Sequence, residues 1–154
     1  MVEIKTARFP EDHGHVVDIF REYVTSPKAD LGFQDFEAEF ASLPGKYAAP
    51  DGRVLLAWSG DAVVGCAALR RIDKRTGELK RVYVRPIARG ASLGRRLVVE
   101  TLEAARRLGY EHICLDVLPE FTAAQQLYRS LGFQPSAPVS FNPVPGTHFL
   151  ALNL

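Results

Sequence analysis

Glu78-Leu-Lys-Arg-Val-Tyr-Val-Arg-Pro-Ile-Ala-Arg-Gly-Ala-Ser-Leu-Gly-Arg-Arg-Leu-Val99 joins three structural signals in one unbroken stretch. Glu78 to Val84 reads as a strand, and Pro86 ends it because proline has no N–H for the ladder. A short turn with Gly90 and Gly94 follows, and an amphipathic helix from about Ser92 to Leu108 comes after it, with Leu93, Leu97, Val98, Leu102, Ala105 and Leu108 on its apolar face. Ser92 has a good N-cap side chain, and Gly109 stands where a left-handed C-terminal cap is expected. A turn of this kind presents successive N–H groups to an anion. The helix N-terminus adds roughly half a positive charge, and Arg95 and Arg96 add formal charge. The stretch predicts a phosphate site.

Working outward, Val2 to Arg8 alternates as a strand, and Pro10 to Val24 carries an apolar stripe at helical spacing. Phe33, Phe36 and Phe40 mark a second, short helix. Val54 to Trp58 and Val63 to Leu69 are strands joined by the Ser59-Gly60-Asp61 turn, a hairpin signal. His112 to Leu118 predicts a strand, Phe121 to Leu131 a helix in which Thr122 and Gln125 have capping-box spacing, and Thr147 to Leu152 a final strand. The order βααβββαβαβ predicts a mixed α/β sheet, built as a single domain over residues 1–154.

Composition narrows the function. A net charge of +1 argues against a nucleic-acid partner, which needs a dominant basic face. Neither a signal pattern nor an apolar run of membrane-spanning length is present, so the expected location is cytoplasmic, with no membrane partner. Cys66 and Cys114 sit in apolar strands and predict buried thiols in a reducing compartment. The histidines at 13, 15, 112 and 148 have no metal-ligand spacing, so no metal is expected. The glycine turn is neither a Walker loop, which needs a Lys-Ser/Thr pair, nor a dinucleotide fingerprint, which needs three glycines and a following acid.

Arg89-Gly-Ala-Ser-Leu-Gly94 resembles the pyrophosphate-binding turn of the GCN5-related N-acetyltransferases, the GNAT superfamily, whose pattern is Gln/Arg-x-x-Gly-x-Gly/Ala after a strand ending in valine and proline. Ala124-Gln-Gln-Leu-Tyr-Arg-Ser-Leu-Gly-Phe133 resembles the second signature of the same family. The element order agrees from Val2 to Leu154. Two positions depart from the pattern: Ser92 replaces a usual glycine, and Phe121 stands where many members carry asparagine.

The resemblance implies a mostly antiparallel mixed sheet flanked by helices, with strands splayed around an acyl-CoA. It implies an acetyl-CoA-dependent N-acetyltransferase acting on a primary amine of a small molecule or peptide by direct attack on the thioester; the alternative is a non-catalytic CoA-binding sensor or interaction domain. Pantetheine is expected along the backbone of Val82, Tyr83 and Val84, and pyrophosphate on the N–H groups of Gly90, Ala91, Ser92, Leu93, Gly94 and Arg95, with Arg89, Arg95 or Arg96 contributing charge. Tyr128 is the candidate acid beside the sulfur; the other reading packs it into the core. Glu78 is the candidate base, placed by period-two alternation on the same face as Val82; its other reading is an exposed acid paired with Lys80 or Arg81. The Tyr83 side chain is expected on the opposite face, in the core. Asp30, Asp35, Glu37 and Glu39 flank the acceptor side, either as a solvated helix face or as steering charge. The final strand is a candidate homodimer surface.

Overall fold

The computed structural model describes residues 1–32 and 35–154, so the expectation for Phe33 falls outside the described residues. Strands β1 (Val2–Thr6), β2 (Arg53–Ser59), β3 (Ala62–Arg71), β4 (Thr76–Val84), β5 (His112–Val117), β6 (Gln134–Pro135) and β7 (His148–Asn153) form one sheet in the order β1-β2-β3-β4-β5-β7-β6. Every neighbour pair is antiparallel except β4 with β5. The helices are α1 (His13–Thr25), α2 (Phe36–Ala41), α3 (Leu93–Arg107) and α4 (Thr122–Ser130). The sheet is therefore the mixed, mostly antiparallel one expected. β7 lies between β5 and the two-residue β6, which pairs with it at Leu150 and Ala151.

The central strands are buried on both faces, and their alternation sorts side chains into two layers. Leu55, Ala57, Ala67, Leu69 and Leu79 meet Leu93, Leu97, Val98, Leu102 and Ala105 of α3. Val54, Leu56, Cys66 and Ala68 meet Val16, Ile19, Phe20 and Val24 of α1 and Phe40 of α2. Cys66 and Cys114 are buried and unpaired.

One irregularity decides what β4 presents. Cys66 pairs with Tyr83 and Ala68 with Lys80, so β4 carries one residue more than β3 at this point. The extra residue is a β-bulge at Arg81, whose φ of 58° is left-handed. A bulge reverses alternation beyond it. Glu78, Lys80, Arg81 and Tyr83 all face the α1–α2 layer, whereas Leu79, Val82 and Val84 pack toward α3 and α4. This corrects two expectations from the sequence: Glu78 does not share a face with Val82, and Tyr83 does not lie opposite Glu78.

The bulge is held by a buried ion pair. The Arg81 guanidinium donates from Nε and Nη2 to the two Glu39 carboxylate oxygens at 3.1 Å each, and Cys66 Sγ donates to Arg81 O at 3.0 Å. Lys46 Nζ lies 3.0 Å from Glu39 Oε1 and Tyr47 Oη donates to it at 3.1 Å. Glu39 thus points inward and does not belong to a solvated helix face. Burial alone would raise its carboxyl, but Arg81 and Lys46 outweigh burial and hold it below the usual glutamate range.

Removing one partner of a buried pair leaves the other charge uncompensated. Arg81→Met is expected to lower unfolding free energy by about 3–5 kcal/mol, read from urea denaturation at neutral pH. Because the Glu39 carboxyl titrates lower in the fold than in the unfolded chain, its contribution is complete above about pH 4.3 and fades as pH falls toward the folded value. Arg81→Met should flatten that acid limb of the stability curve.

Candidate functional site

β4 and β5 are paired only from Thr76↔His112 to Glu78↔Cys114. Beyond that point they diverge, and a cavity of ≈ 760 Å³ opens between Leu79–Val84 and the end of β5. On the β3 side, Tyr83 and Val84 remain paired with Cys66 and Gly65; on the β5 side, the backbone from Lys80 to Val84 has no strand partner among the described residues. The result is an internal open strand edge lining a cavity, the arrangement to which an extended ligand adds by backbone pairing.

One mouth of the cavity is the turn before α3. Gly90 has φ +92° and Ser92 φ +59°, and the helix begins at Leu93. Ser92 thus tolerates the left-handed conformation that glycine would favour, but its hydroxyl does not cap the helix. The N–H groups of the first helical turn have no partner within the helix, and the helix dipole adds positive potential beside Gly90, Ser92 and Gly94, which line the cavity. Of the three arginines, Arg89 lines this mouth, donating from Nε to Val84 O at 2.9 Å with its guanidinium 5.7 Å from the Tyr83 ring centre. Arg95 donates to Ser130 Oγ at 3.0 Å and joins α3 to α4, while Arg96 reaches Val2 O at 3.1 Å.

The deep end gathers aromatic and charged groups from four elements. Tyr128 of α4 packs edge-on against Phe133, with ring centres 5.6 Å apart. Its hydroxyl has no hydrogen-bond partner among the described residues and no described buried polar side-chain atom lacks one, so the hydroxyl opens on the cavity. Burial pushes its phenol well above the ordinary tyrosine value, with Tyr23 and Asp116 adding to the effect. Tyr23, stacked between Tyr83 and Phe121 at 5.9 and 6.3 Å, is pushed up to about 12 by burial, with Arg81 opposing and Asp116 reinforcing. Asp116 of β5 lines the cavity and accepts from Asn142 Nδ2 at 3.0 Å. Lys80 lines it from β4.

Phe121 occupies the start of α4 without a capping side-chain bond, so the Thr122–Gln125 capping box does not form. Gln125 instead donates from Nε2 to Leu118 O and Pro119 O at 3.0 and 3.1 Å, fixing the turn out of β5.

Glu78 is fully buried and does not reach the cavity. Its Oε1 accepts from Arg70 Nε at 2.6 Å and its Oε2 from Ser140 Oγ at 3.0 Å. It pins the loop between β6 and β7 beneath the sheet, and its partner is Arg70, not Lys80 or Arg81. The carboxylates that line the cavity are Asp116 and Glu120, neither of which the sequence pattern singles out, and Glu120 accepts from Lys28 N at 3.1 Å. Asp116 stands two residues beyond Cys114, the last residue of β5 paired to β4, so it points into the gap only because the strands separate there.

Among the described residues no helix is long and apolar enough to cross a membrane, and no group of three or more His, Cys, Asp or Glu is placed to hold a metal. The sequence pattern of the acetyltransferase (GNAT) family matches residues 14–133. An uncharacterized N-acetyltransferase of Schizosaccharomyces pombe is 33% identical over 155 residues, spanning 99% of this chain and 95% of its own. An acetyltransferase structure from Streptococcus agalactiae matches with a TM-score of 0.81 at 24% identity, covering 99% of this chain and 98% of its own. One from Salmonella typhimurium, solved with its cofactor acetyl-CoA, matches at 0.71 and 22% identity, covering 99% and 94%.

The state of Tyr128 is directly testable. In an alkaline ultraviolet titration, the difference between wild type and Tyr128→Phe should show no phenolate forming near the ordinary pKa of about 10. A difference step at that pH would place the hydroxyl in water.

Proposed function

The chain belongs to the acetyltransferase (GNAT) family, and from that premise we propose that it transfers the acetyl group of acetyl-CoA to the amine of a small acceptor. The observation that carries this is the open edge of β4, which leads without interruption from the anion-binding turn before α3 to the hydroxyl of Tyr128. The features fit the groups of acetyl-CoA in sequence. The turn from Gly90 to Arg95, with Arg89 beside it, suits a pyrophosphate; the backbone from Val82 to Val84, without a described strand partner on the β5 side, suits the amides of pantetheine; the Tyr128 hydroxyl, open on the cavity, suits the thioester end.

When bound, acetyl-CoA supplies a thioester whose carbonyl carbon bonds to the acceptor nitrogen as the C–S bond breaks and the thiol leaves. Two proton tasks fall to the chain. An alkylamine with a pKa of about 10.4 is mostly protonated at neutral pH and must lose a proton before it attacks. Asp116, with one oxygen held by Asn142 and the carboxylate turned to the cavity, is placed to take it. Tyr128, kept protonated by burial, is placed to supply one to the departing sulfur. Glu78, locked between Arg70 and Ser140, acts as a positioning residue for the wall of the cavity.

A small acceptor is favoured because bonded chain flanks the deep end on two sides. Glu120 accepts from Lys28 N at 3.1 Å, tying the segment after α1 to the start of α4. Asn142 and Ser140 fasten the β6–β7 loop to β5 and β4.

Calorimetric titration with acetyl-CoA should give micromolar binding, with ATP clearly weaker. A Cβ at Gly94 would meet Val84 Cγ2 and Leu127 Cδ2 at 3.8 and 3.9 Å, ordinary contacts, so Gly94→Ala should keep the fold. Gly94→Glu places negative charge at the turn and should abolish acetyl-CoA binding; unchanged affinity would remove the phosphate assignment. Tyr128→Phe should lower kcat by roughly 10²-fold or more with little change in acetyl-CoA affinity. Tight binding with no thiol release from any amine would favour the non-catalytic alternative.

A further inference from the structure

The acceptor end of the cavity holds a charge without a mate. Lys80 projects from β4 into the α1–α2 side, between Glu78, which is committed to Arg70 and Ser140, and Arg81, which is committed to Glu39. Among the described residues no carboxylate lies within ion-pairing distance of its ammonium. Burial lowers its pKa, opposed by the more distant Glu78 and Asp116 and reinforced by Arg81 and Lys46. Lys80 is half-buried, and a cation partly withdrawn from water gains from a partner. Among the described residues the well-buried charges are satisfied: Arg81 by Glu39, Glu39 by Lys46 as well, Glu78 by Arg70. Arg81 lines the cavity too, but its charge is committed to Glu39, whereas Lys80 lines it with no described carboxylate in pairing distance. The cavity is the space from which a ligand anion can reach it.

Asp116 faces the same cavity from the neighbouring strand. The two are near enough to influence each other's charge yet too far apart to pair directly. A cation and an anion set apart on the wall of one cavity are complementary to a ligand carrying both charges. We propose that Lys80 is the carboxylate receptor of the acceptor pocket and that the acceptor is a small aminocarboxylate, its carboxylate on Lys80 and its amine at Asp116. This rests on the acetyl-transfer reading above and deepens it by naming the acceptor class. The reacting bonds are unchanged: the amine nitrogen gains the acetyl group, CoA leaves as the thiol, and the carboxylate of the acceptor remains an anion held by Lys80.

The test is thiol release from acetyl-CoA with glycine, β-alanine and γ-aminobutyrate, each compared with its own carboxamide, which keeps the amine and removes the charge. At least one acid is expected to exceed its amide in kcat/KM by roughly ten- to hundredfold, the range of one charge-assisted hydrogen bond. In Lys80→Met that ratio should collapse toward one through KM, and Lys80→Arg should restore part of it. A second readout is calorimetric binding of the N-acetylated acid, which has no amine to react; it should bind wild type more tightly than Lys80→Met. Equal use of acids and amides, or a ratio that survives Lys80→Met, overturns the acceptor class and leaves acetyl transfer standing. Intact mass showing one acetyl group on Lys80 after incubation with acetyl-CoA alone also overturns it, since Lys80 would then be the acceptor. Binding of acetyl-CoA without thiol release from any amine removes the acetyl-transfer reading and this inference together.

Discussion

The site depends on the parting of two strands. β4 and β5 are parallel neighbours for only three residue pairs, and the backbone groups that further pairing would have consumed are left facing a cavity. Unpaired backbone inside a protein is costly, so the separation needs support from outside the sheet. That support is the bulge at Arg81. Its left-handed residue gives β4 an added twist, and the pair of Arg81 with Glu39 of α2 locks the twist in place. The same pair carries the connection from α2 onto the sheet, so the acceptor side and the strand geometry stand or fall together.

This constraint also divides labour among the carboxylates. Glu39 and Glu78 lie on the same layer and are both buried, yet each is used up by an arginine. Asp116 sits just past the point where the strands separate, and its side chain emerges into the space between them with a single amide from Asn142 to orient it. Aromatic rings from α1, β4 and the start of α4 surround that space. Tyr23, Tyr83 and Phe121 line it, and burial raises the phenol of Tyr128, which stays protonated across the neutral range.

Much of this was legible in the sequence. Proline after a valine-rich strand, glycines in the turn, and an apolar stripe from Leu93 to Ala105 locate β4, the turn and α3, because strand and helix periodicities are local properties of the chain. The Leu-Tyr and Leu-Gly-Phe spacing places Tyr128 on a buried helical face. Other expectations failed for reasons that no local pattern carries. Ser92 and Thr122 have good capping side chains but make no cap, since the chain enters α3 left-handed at Ser92 and starts α4 at Phe121.

The sequence by itself determined the order of elements, the two apolar layers, the anion-binding turn and the family to which the chain is similar. Periodicity, capping and turn chemistry act over a few residues, and each of those features is written within such a span. Only the tertiary structure decided which polar side chains share the cavity. Period-two alternation across Glu78 to Val84 assigns Glu78 to the face of Val82. One extra residue at Arg81, stabilised by Glu39 from forty-two positions upstream, sends it to the other. Register is a property of paired strands, and a bulge held by a distant charge cannot be read from either strand alone.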